Sequence, residues 1–146
     1  MTKIEPNSDR LSIRFIEMSD LDAIHALHSL PETDKFNTLG IPESIQETKS
    51  IIEVWCAGNK EVASKHLVCA IEQTEGKKFI GLIALRIGSE KFRNGEVWYK
   101  LHSDYWGKGY GTEALKTILN FGFEQVKLHR IEAVSYTHLT LPTMLA

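Results

Sequence analysis

The sequence predicts an α/β layer fold built on a largely antiparallel sheet. Segments that alternate polar and apolar residues surround segments with apolar residues at three- and four-residue steps, in the order β-α-α-β-β-β-α-β. Two of the middle strands are joined by a short hairpin connection, which favours antiparallel pairing. With 146 residues, 42% of them hydrophobic, the chain suffices for one domain with a single core.

The first half of the chain contains one strand and two helices. In chain order, the expected elements are a strand over 10–16, a helix over 19–29, a loop over 30–43 and a helix over 44–57. Ser19 and Asp20 are the expected N-cap of the first helix. Gly58 and Asn59 are expected to end the second helix.

The second half is richer in strands. Its expected elements are strands over 65–73, 78–88 and 95–101, a helix over 111–126 and a strand over 129–134. A hairpin connection at 74–76 joins the first two strands, and Asn94 with Gly95 predicts a tight turn before the third. Alternation divides the third strand into two faces, one with Val97, Tyr99 and Leu101 and the other with Glu96, Trp98 and Lys100.

Charge and hydropathy exclude several classes of protein. The net charge is −2 and no Lys/Arg cluster occurs, so we expect no nucleic-acid partner. No apolar run approaches the roughly 18 residues that cross a bilayer, and the polar N-terminus lacks the apolar stretch of a signal peptide. We therefore expect a cytoplasmic protein without a membrane partner, and the oligomeric state stays open.

The cysteines and histidines do not predict a metal site. Cys56 and Cys69 make no disulfide framework, and Cys69 lies inside an apolar strand, where we interpret it as a small buried hydrophobe. His25 and His28 are three residues apart on a predicted helix and could share a metal. Because no third ligand is in register, a half-exposed helix face is the favoured interpretation, and we expect no metal.

The stretch "YWGKGYGTEA" at 105–114 carries the clearest chemical signal. Gly107, Gly109 and Gly111 alternate between a predicted strand and a predicted helix. Glycine permits positive φ and a close approach of the backbone, and a helix N-terminus offers unpaired N–H groups with partial positive charge. This pattern predicts a pyrophosphate ligand. Lys108 could add a charge or point to water, and a glycine-rich connection that binds nothing is the alternative.

Two other phosphate-binding motifs fit poorly. A Walker-type loop requires Gly-Lys-Ser/Thr at the helix start, whereas Lys108 is followed by Gly109. A dinucleotide fingerprint requires Gly-x-Gly-x-x-Gly early in a βαβ unit, whereas this run has Gly-x-Gly-x-Gly spacing late in the chain.

The segment "LHSDYWGKGYGTEAL" resembles the acetyl-CoA-binding segment of the GNAT acetyltransferase superfamily, whose signature is Gln/Arg-x-x-Gly-x-Gly/Ala. Gly109 and Gly111 match its two small positions. Trp106 stands where the signature has Gln or Arg, a departure common in the RimJ/RimL-like N-acetyltransferase branch. The resemblance covers about 10–133 and includes the segments "RLSIRFIEMSDLDAIHAL", "FIGLIAL", "GEVWYKL" and "LHRIEA".

The resemblance implies a fold and an activity. The fold would be the GNAT acyl-CoA N-acyltransferase fold, a mixed, mostly antiparallel sheet flanked by helices. The activity would be an acetyl-CoA-dependent N-acetyltransferase that moves the acetyl group from its cosubstrate to a primary amine by direct attack in a ternary complex. The acceptor would be a protein N-terminus or a small amine. A non-catalytic CoA-binding or regulatory module of the same fold is the alternative, and a nucleotide-binding domain is a third hypothesis.

The resemblance also assigns site residues. Backbone N–H groups of the glycine segment would hold the CoA pyrophosphate, namely those of Trp106, Gly107, Lys108, Gly109, Tyr110, Gly111 and Thr112. The strand end Tyr99, Lys100 and Leu101 would splay from its neighbour and pair with the pantetheine arm. The Leu101 N–H would stabilise the oxyanion.

Catalytic and acceptor-binding residues are expected from the same resemblance. Glu96 is the candidate general base, and a solvated or structurally paired strand carboxylate is the alternative. Glu113 is expected to serve the helix dipole, and His102 is a weaker acid/base candidate. The acceptor-binding site would be lined by Phe36, Asn37 and Trp55, each of which fits a core or loop position equally well.

The C-terminal segment departs from the family pattern. Val134 to Thr143 can be back-translated as a transposase-based sequencing adapter in frame, and a natural Thr/Leu-rich tail is the alternative. We therefore expect residues 1–133 to be a GNAT domain without its C-terminal helix, last strands and general acid, and 134–146 to be a non-native tail. The full-length parent is then expected to be active, and this chain weak or inactive.

Overall fold

One mixed sheet carries three helices in the part of the chain that the structure describes. The computed structural model describes residues 3–4, 10–30, 43–60, 65–88, 94–135 and 144–145. Within them the strands are β1 (Lys3–Ile4), β2 (Leu11–Phe15), β3 (His66–Gln73), β4 (Phe79–Ile87), β5 (Asn94–Leu101), β6 (Arg130–Ser135) and β7 (Met144–Leu145), in that spatial order. The helices are α1 (Leu21–His28), α2 (Ile45–Lys60) and α3 (Tyr110–Asn120). The predicted α/β class and element order are confirmed, with β1 and β7 as additions.

Only one pair of neighbouring strands is parallel among those described. β5 and β6 run side by side in register from Asn94↔Arg130 to Tyr99↔Ser135, whereas the other pairs are antiparallel. A parallel pair requires a crossover connection, and α3 supplies it. Because parallel strands end at the same edge, the segment between β5 and α3 lies at that shared edge.

Both faces of the sheet are buried, and each packs its own helices. On the first side, the α3 face, Val97, Tyr99 and Leu101 join a core with Ile118 of α3. On the second side, the α1/α2 face, Trp98 packs in a core whose other members are Ile16, Ile24, Leu27, Ile52, Val68, Ala70, Leu82 and Ala84. The predicted division of the third strand into two faces is therefore confirmed.

The start of the first helix differs from the prediction. A 3-10 turn at Met18–Asp20 precedes α1, and the Asp20 side chain does not cap the helix. Its carboxylate instead accepts the Glu17 N–H at 2.8 Å and pairs with the Arg14 guanidinium at 2.8 and 2.9 Å. That hydrogen-bonded pairing raises the pKa of Arg14 above its usual range. Asp20 thus occupies the predicted N-cap position, but its carboxylate serves the preceding 3-10 turn and an ion pair with β2 and makes no cap hydrogen bond to α1.

Two predicted boundaries were wrong because distant contacts decide them. Gly58 and Asn59 lie inside α2, where the Asn59 side chain bonds the backbone of β3 instead of ending the helix. Asn94 and Gly95 belong to β5 and do not form the turn before it. A Cβ on Gly95 would lie 2.7 Å from Leu128 Cδ1, so a larger residue here would force the Leu128 side chain to shift.

The end of α3 and the position of the last predicted strand both agree with the prediction. After α3 a π-helical turn continues over Phe121–Gln125, and β6 follows. The expected domain boundary at residue 133 falls inside β6, while 136–143 lie outside the described residues, as do 31–42 of the predicted loop. No described helix is both long and apolar enough to span a membrane.

Candidate active site

The glycine segment turns sharply between β5 and α3. A 3-10 turn at Ser103–Tyr105 follows the strand, and His102 caps it by accepting the Asp104 N–H on Nδ1 at 3.2 Å. The chain then takes positive φ at Gly107 (72°) and at Gly109 (82°), directly before α3 begins. L-residues with a side chain rarely adopt this conformation, so both glycines are required by the backbone.

The space around these glycines differs from position to position. A Cβ on Gly107 would meet nothing within 4 Å, and one on Gly109 would meet only Arg10 Nη2 at 3.4 Å. The loop therefore leaves open space beside its backbone. A Cβ on Gly111 would instead lie 3.1 to 3.3 Å from the Tyr99 ring, so this glycine lets α3 approach β5 closely.

Backbone donors gather at the start of α3. Glu113 N–H bonds the Gly109 carbonyl at 3.0 Å, whereas the N–H groups of Tyr110 to Thr112 precede the first intrahelical bond and have no partner of that kind. With the partial positive charge of the helix N-terminus, this arrangement fits a pyrophosphate. The Trp106 N–H differs from the predicted set, because it bonds the Ser103 carbonyl at 3.2 Å.

The Trp106 side chain has a structural role at the position where the family signature has Gln or Arg. Its indole Nε1–H donates to the Leu101 carbonyl at 2.9 Å and so ties the glycine segment to the end of β5. Lys108 is exposed, with Nζ 5.8 Å from the centre of the Tyr105 ring. Of these two side chains, it is therefore Trp106 that fixes the loop to the end of β5.

The end of β5 presents a backbone donor on its β6 side. His102 N–H bonds Ile80 of β4, and neighbouring residues of a strand point their polar groups in opposite directions, so the Leu101 N–H points toward β6. The described β5–β6 ladder ends at Tyr99 and Ser135. Lys100 and Leu101, the predicted pantetheine-binding residues, lie beyond that last pair, whereas Tyr99 is within it.

Glu96 lies in a row of polar residues across the α1/α2 face. Strand register places Arg86 on one side of it and Glu132 on the other, and the three line a cavity of about 200 Å³. Glu132 also pairs with Arg130 at 2.9 Å. Glu96 precedes Leu101 by five residues, about 17 Å at the usual rise per strand residue. The candidate base and the candidate oxyanion donor are therefore well separated.

A buried polar group that sequence patterns did not predict lies between α1 and the sheet. The His28 ring is 2% exposed and stands edge-on to Trp55, with ring centres 6.1 Å apart. Its Nε2 has no hydrogen-bond partner within the described ranges. Burial, and then the charge of Lys100, lower the pKa of His28 to about 3. Lys100 is itself 2% exposed, although its position on an alternating strand predicted only its face.

The remaining predicted residues have structural contacts or fall outside the described part. Trp55 stacks at 5.9 Å on Trp98, so it forms part of the packed α1/α2 face. Phe36 and Asn37 lie outside the described residues. Cys69 is fully buried, and burial raises the pKa of its thiol, which confirms it as a core residue.

The paired histidines of α1 have separate environments. His25 Nδ1 lies 2.8 Å from Thr48 Oγ1 of α2, whereas His28 faces Trp55. Within the described ranges, no three side chains of the metal-binding types are grouped closely enough to hold an ion.

A parallel strand pair that ends beside a glycine loop and a helix N-terminus defines a class of α/β proteins that bind a phosphate-bearing ligand at the sheet edge. Comparison with known proteins narrows the class. The sequence model of the Acetyltransferase (GNAT) domain matches residues 10–138. The chain belongs to this family of N-acetyltransferases, which use acetyl-CoA and an acceptor, and the expected family and fold are confirmed.

Individual relatives agree with the family assignment. The chain is 31% identical over 130 residues to YoaA of Bacillus subtilis (strain 168), an uncharacterized N-acetyltransferase, covering 89% of this chain and 72% of that protein. A GNAT-family acetyltransferase from Bacillus anthracis superposes with a TM-score of 0.74 at 24% identity, over 90% of this chain and 72% of that one. RimL, a ribosomal L7/L12 alpha-N-protein acetyltransferase, has the same fold, with a TM-score of 0.77 at 17% identity over 91% and 71%.

Proposed function

We propose that this chain transfers the acetyl group of acetyl-CoA directly to a primary amine, with both substrates bound at once. The observation that carries the proposal is the loop of 107–109, where two glycines at positive φ face open space directly before the N-terminus of α3. Such a loop presents several N–H groups to one anionic ligand.

The proposed cofactor contacts follow from the backbone. The N–H groups of 107–112 would hold the pyrophosphate, and Lys100 and Leu101 would pair with the pantetheine arm beyond the β5–β6 ladder. Of the predicted set, we leave out the Trp106 N–H because the 3-10 turn uses it, and Trp106 contributes its indole instead. When bound, acetyl-CoA supplies the thioester carbonyl that an amine attacks.

Leu101 is the proposed donor to that carbonyl oxygen. Its N–H points toward the β6 side, and Trp106 holds the carbonyl of the same residue at 2.9 Å, which limits rotation of the strand end. A donor fixed before the reaction stabilises developing negative charge without a cost for reorienting it.

Glu96 is the proposed proton acceptor, acting through water. An amine must be neutral to attack, so its proton has to leave the site. The separation of about 17 Å along β5 from Leu101 is too long for direct transfer between neighbouring groups. Glu96 lies on the α1/α2 face, which also carries Trp55, one of the residues that the family resemblance expects to line the acceptor site. The protein N-terminus and the small amine both remain candidate acceptors.

Acetyl-CoA binding and amine-dependent thiol release test the proposal separately. Titration calorimetry of the chain with acetyl-CoA should show binding, and thiol release should depend on the amine in a panel of N-terminal peptides and small amines. We expect Glu96→Gln to lower kcat about 100-fold with little change in acetyl-CoA affinity. Glu132→Gln is the matched control, since it removes the neighbouring carboxylate. Binding without thiol release for any amine would instead support the non-catalytic CoA-binding module.

A further inference from the structure

Arg10, the residue before β2, holds the glycine segment and the first turn of α3. Its Nε donates to Glu113 Oε1 at 2.7 Å, and its backbone N–H donates to Glu113 Oε2 at 3.0 Å. Nη1 and Nη2 both donate to the Lys108 carbonyl at 3.2 Å. The guanidinium carbon lies 4.4 Å from the centre of the Tyr110 ring. One side chain thus contacts three residues that are about a hundred positions away in sequence.

We propose that Arg10 is a positioning residue for the cofactor: it orients the Gly109 N–H toward the pyrophosphate and holds the Glu113 carboxylate away from it. This inference rests on the proposed function, because the pyrophosphate is that of acetyl-CoA. Arg10 itself does not need to touch the ligand.

The orientation of the Gly109 amide follows from peptide geometry. In a trans peptide the carbonyl oxygen of one residue and the N–H of the next point in opposite directions. Because Arg10 binds the Lys108 carbonyl, the Gly109 N–H must point away from Arg10. Without Arg10, this peptide would be free to rotate, because Gly109 is at positive φ and has no Cβ to restrain it sterically.

The charge of Glu113 gives Arg10 a second role. A carboxylate in the first helical turn is attracted by the helix N-terminus and competes there with any other anion. Arg10 engages both oxygens of Glu113, one through its side chain and one through its backbone. Charge-assisted bonds of this kind are directional as well as strong, so the carboxylate is both neutralised and fixed in place.

The first test is acetyl-CoA affinity, measured by calorimetry. We expect Arg10→Ala to raise Kd about tenfold, consistent with the loss of hydrogen bonds to a charged group. Arg10→Lys should recover only part of the affinity, because an ammonium cannot bind the carbonyl and the carboxylate in the same forked geometry. Arg130→Ala is the matched control: it removes an exposed arginine with its own partner, Glu132, and should leave Kd unchanged.

The second test needs no ligand. In the free protein, hydrogen exchange of a peptide covering 106–113 should be several-fold faster in Arg10→Ala than in the wild type. Peptides from β3 and β4 should exchange at the wild-type rate. Because Arg10 is half-exposed, Tm should fall by only about 3 °C. Unchanged exchange over 106–113 would overturn the positioning role, as would an unchanged Kd.

A double variant separates the two roles of Arg10. If the Glu113 carboxylate, no longer held by Arg10, contributes to the loss, Arg10→Ala/Glu113→Gln should bind acetyl-CoA about threefold more tightly than Arg10→Ala alone, since it removes the competing charge. Equal affinities would overturn the electrostatic half of the proposal. If wild-type protein binds no acetyl-CoA, the proposed function fails, and exchange over 106–113 still decides whether Arg10 orders the loop.

Discussion

The two sides of the sheet depend on different kinds of structural feature. On the α3 face, the glycine segment is shaped by positive φ at Gly107 and Gly109 and by the N-terminus of a helix. On the α1/α2 face, the contacts are made by individual side chains such as His28, Trp98 and Asn59. The glycine segment is thus shaped mainly by backbone conformation, whereas the α1/α2 contacts are made by side chains.

Under the proposed function, this difference would let cofactor and acceptor recognition change independently. A pyrophosphate held by backbone N–H groups requires glycine at a few positions and tolerates different side chains between them. The Trp106 indole, which stands where the family signature has Gln or Arg, illustrates this tolerance by bonding the Leu101 carbonyl. Among the described residues of the α1/α2 face no such repeated backbone feature occurs, so the proposed acceptor specificity would depend on individual side chains.

Protonation of His28 provides the largest expected disruption of the α1/α2 face. Its folded pKa is lowered to about 3 from an ordinary 6.5, so the unfolded chain takes up a proton first as pH falls. This contribution to stability is complete above pH 6.5 and is lost progressively toward pH 3, at about 1.4 kcal/mol per pH unit. The free energy of unfolding should therefore fall by about 2 kcal/mol between pH 6.5 and 4.5 from this residue.

His28→Phe isolates that contribution in urea titrations at both pH values. A phenyl ring at this position beside Trp55 cannot take up a proton, so the variant's stability loss should be about 2 kcal/mol smaller than that of the wild type. His129→Phe is the matched control, because that side chain stays exposed to water. Parallel pH dependences for wild type and His28→Phe would show that His28 is not a neutral buried group.

Gly109→Ala tests the backbone side of the comparison. Alanine at φ 82° costs about 1 kcal/mol, and the change also moves the peptide that faces the pyrophosphate. We expect the Kd for acetyl-CoA to rise about tenfold, as measured by calorimetry. Gly76→Ala carries a similar strain at φ 79° in the β3–β4 turn, so it should cost similar stability and leave Kd unchanged. Equal effects of both variants on Kd would mean that global strain, not the loop, weakens binding.

Sequence patterns predicted the secondary structure and the glycine segment better than the side-chain contacts of the α1/α2 face. Alternation and helical spacing located the elements from β2 to β6, because these signals are local. The Gly107–Gly111 run was recognisable for the same reason. The buried state of His28 and Lys100 was not predictable, since it depends on helices that pack over the sheet from elsewhere in the chain. The Asp20 cap failed similarly, because Arg14 on another element binds its carboxylate.

Asn59 shows how one tertiary contact overrides a helix-ending signal. Its side-chain Nδ2 donates to the Val68 carbonyl and its Oδ1 accepts the Val68 N–H, both at 2.9 Å, beyond the point where β2 ends its pairing with β3. The Val68 carbonyl also accepts the Ile16 N–H at 3.3 Å, so Asn59 joins α2 to β3 just past the last β2–β3 pair, and α2 continues through Gly58 to Lys60.

The smallest expected effect, and the finest test of the comparison, is Asn59→Ala. Removing the amide leaves the part-buried Val68 N–H without this partner, which should lower the free energy of unfolding by about 1 kcal/mol in urea titrations. Asn120→Ala, an exposed asparagine at the end of α3, controls for helix propensity and should stay within about 0.5 kcal/mol of wild type. Acetyl-CoA affinity should not change in either variant. If Asn59→Ala weakened acetyl-CoA binding, the two faces would be coupled and the division between backbone-built and side-chain-built sides would not hold.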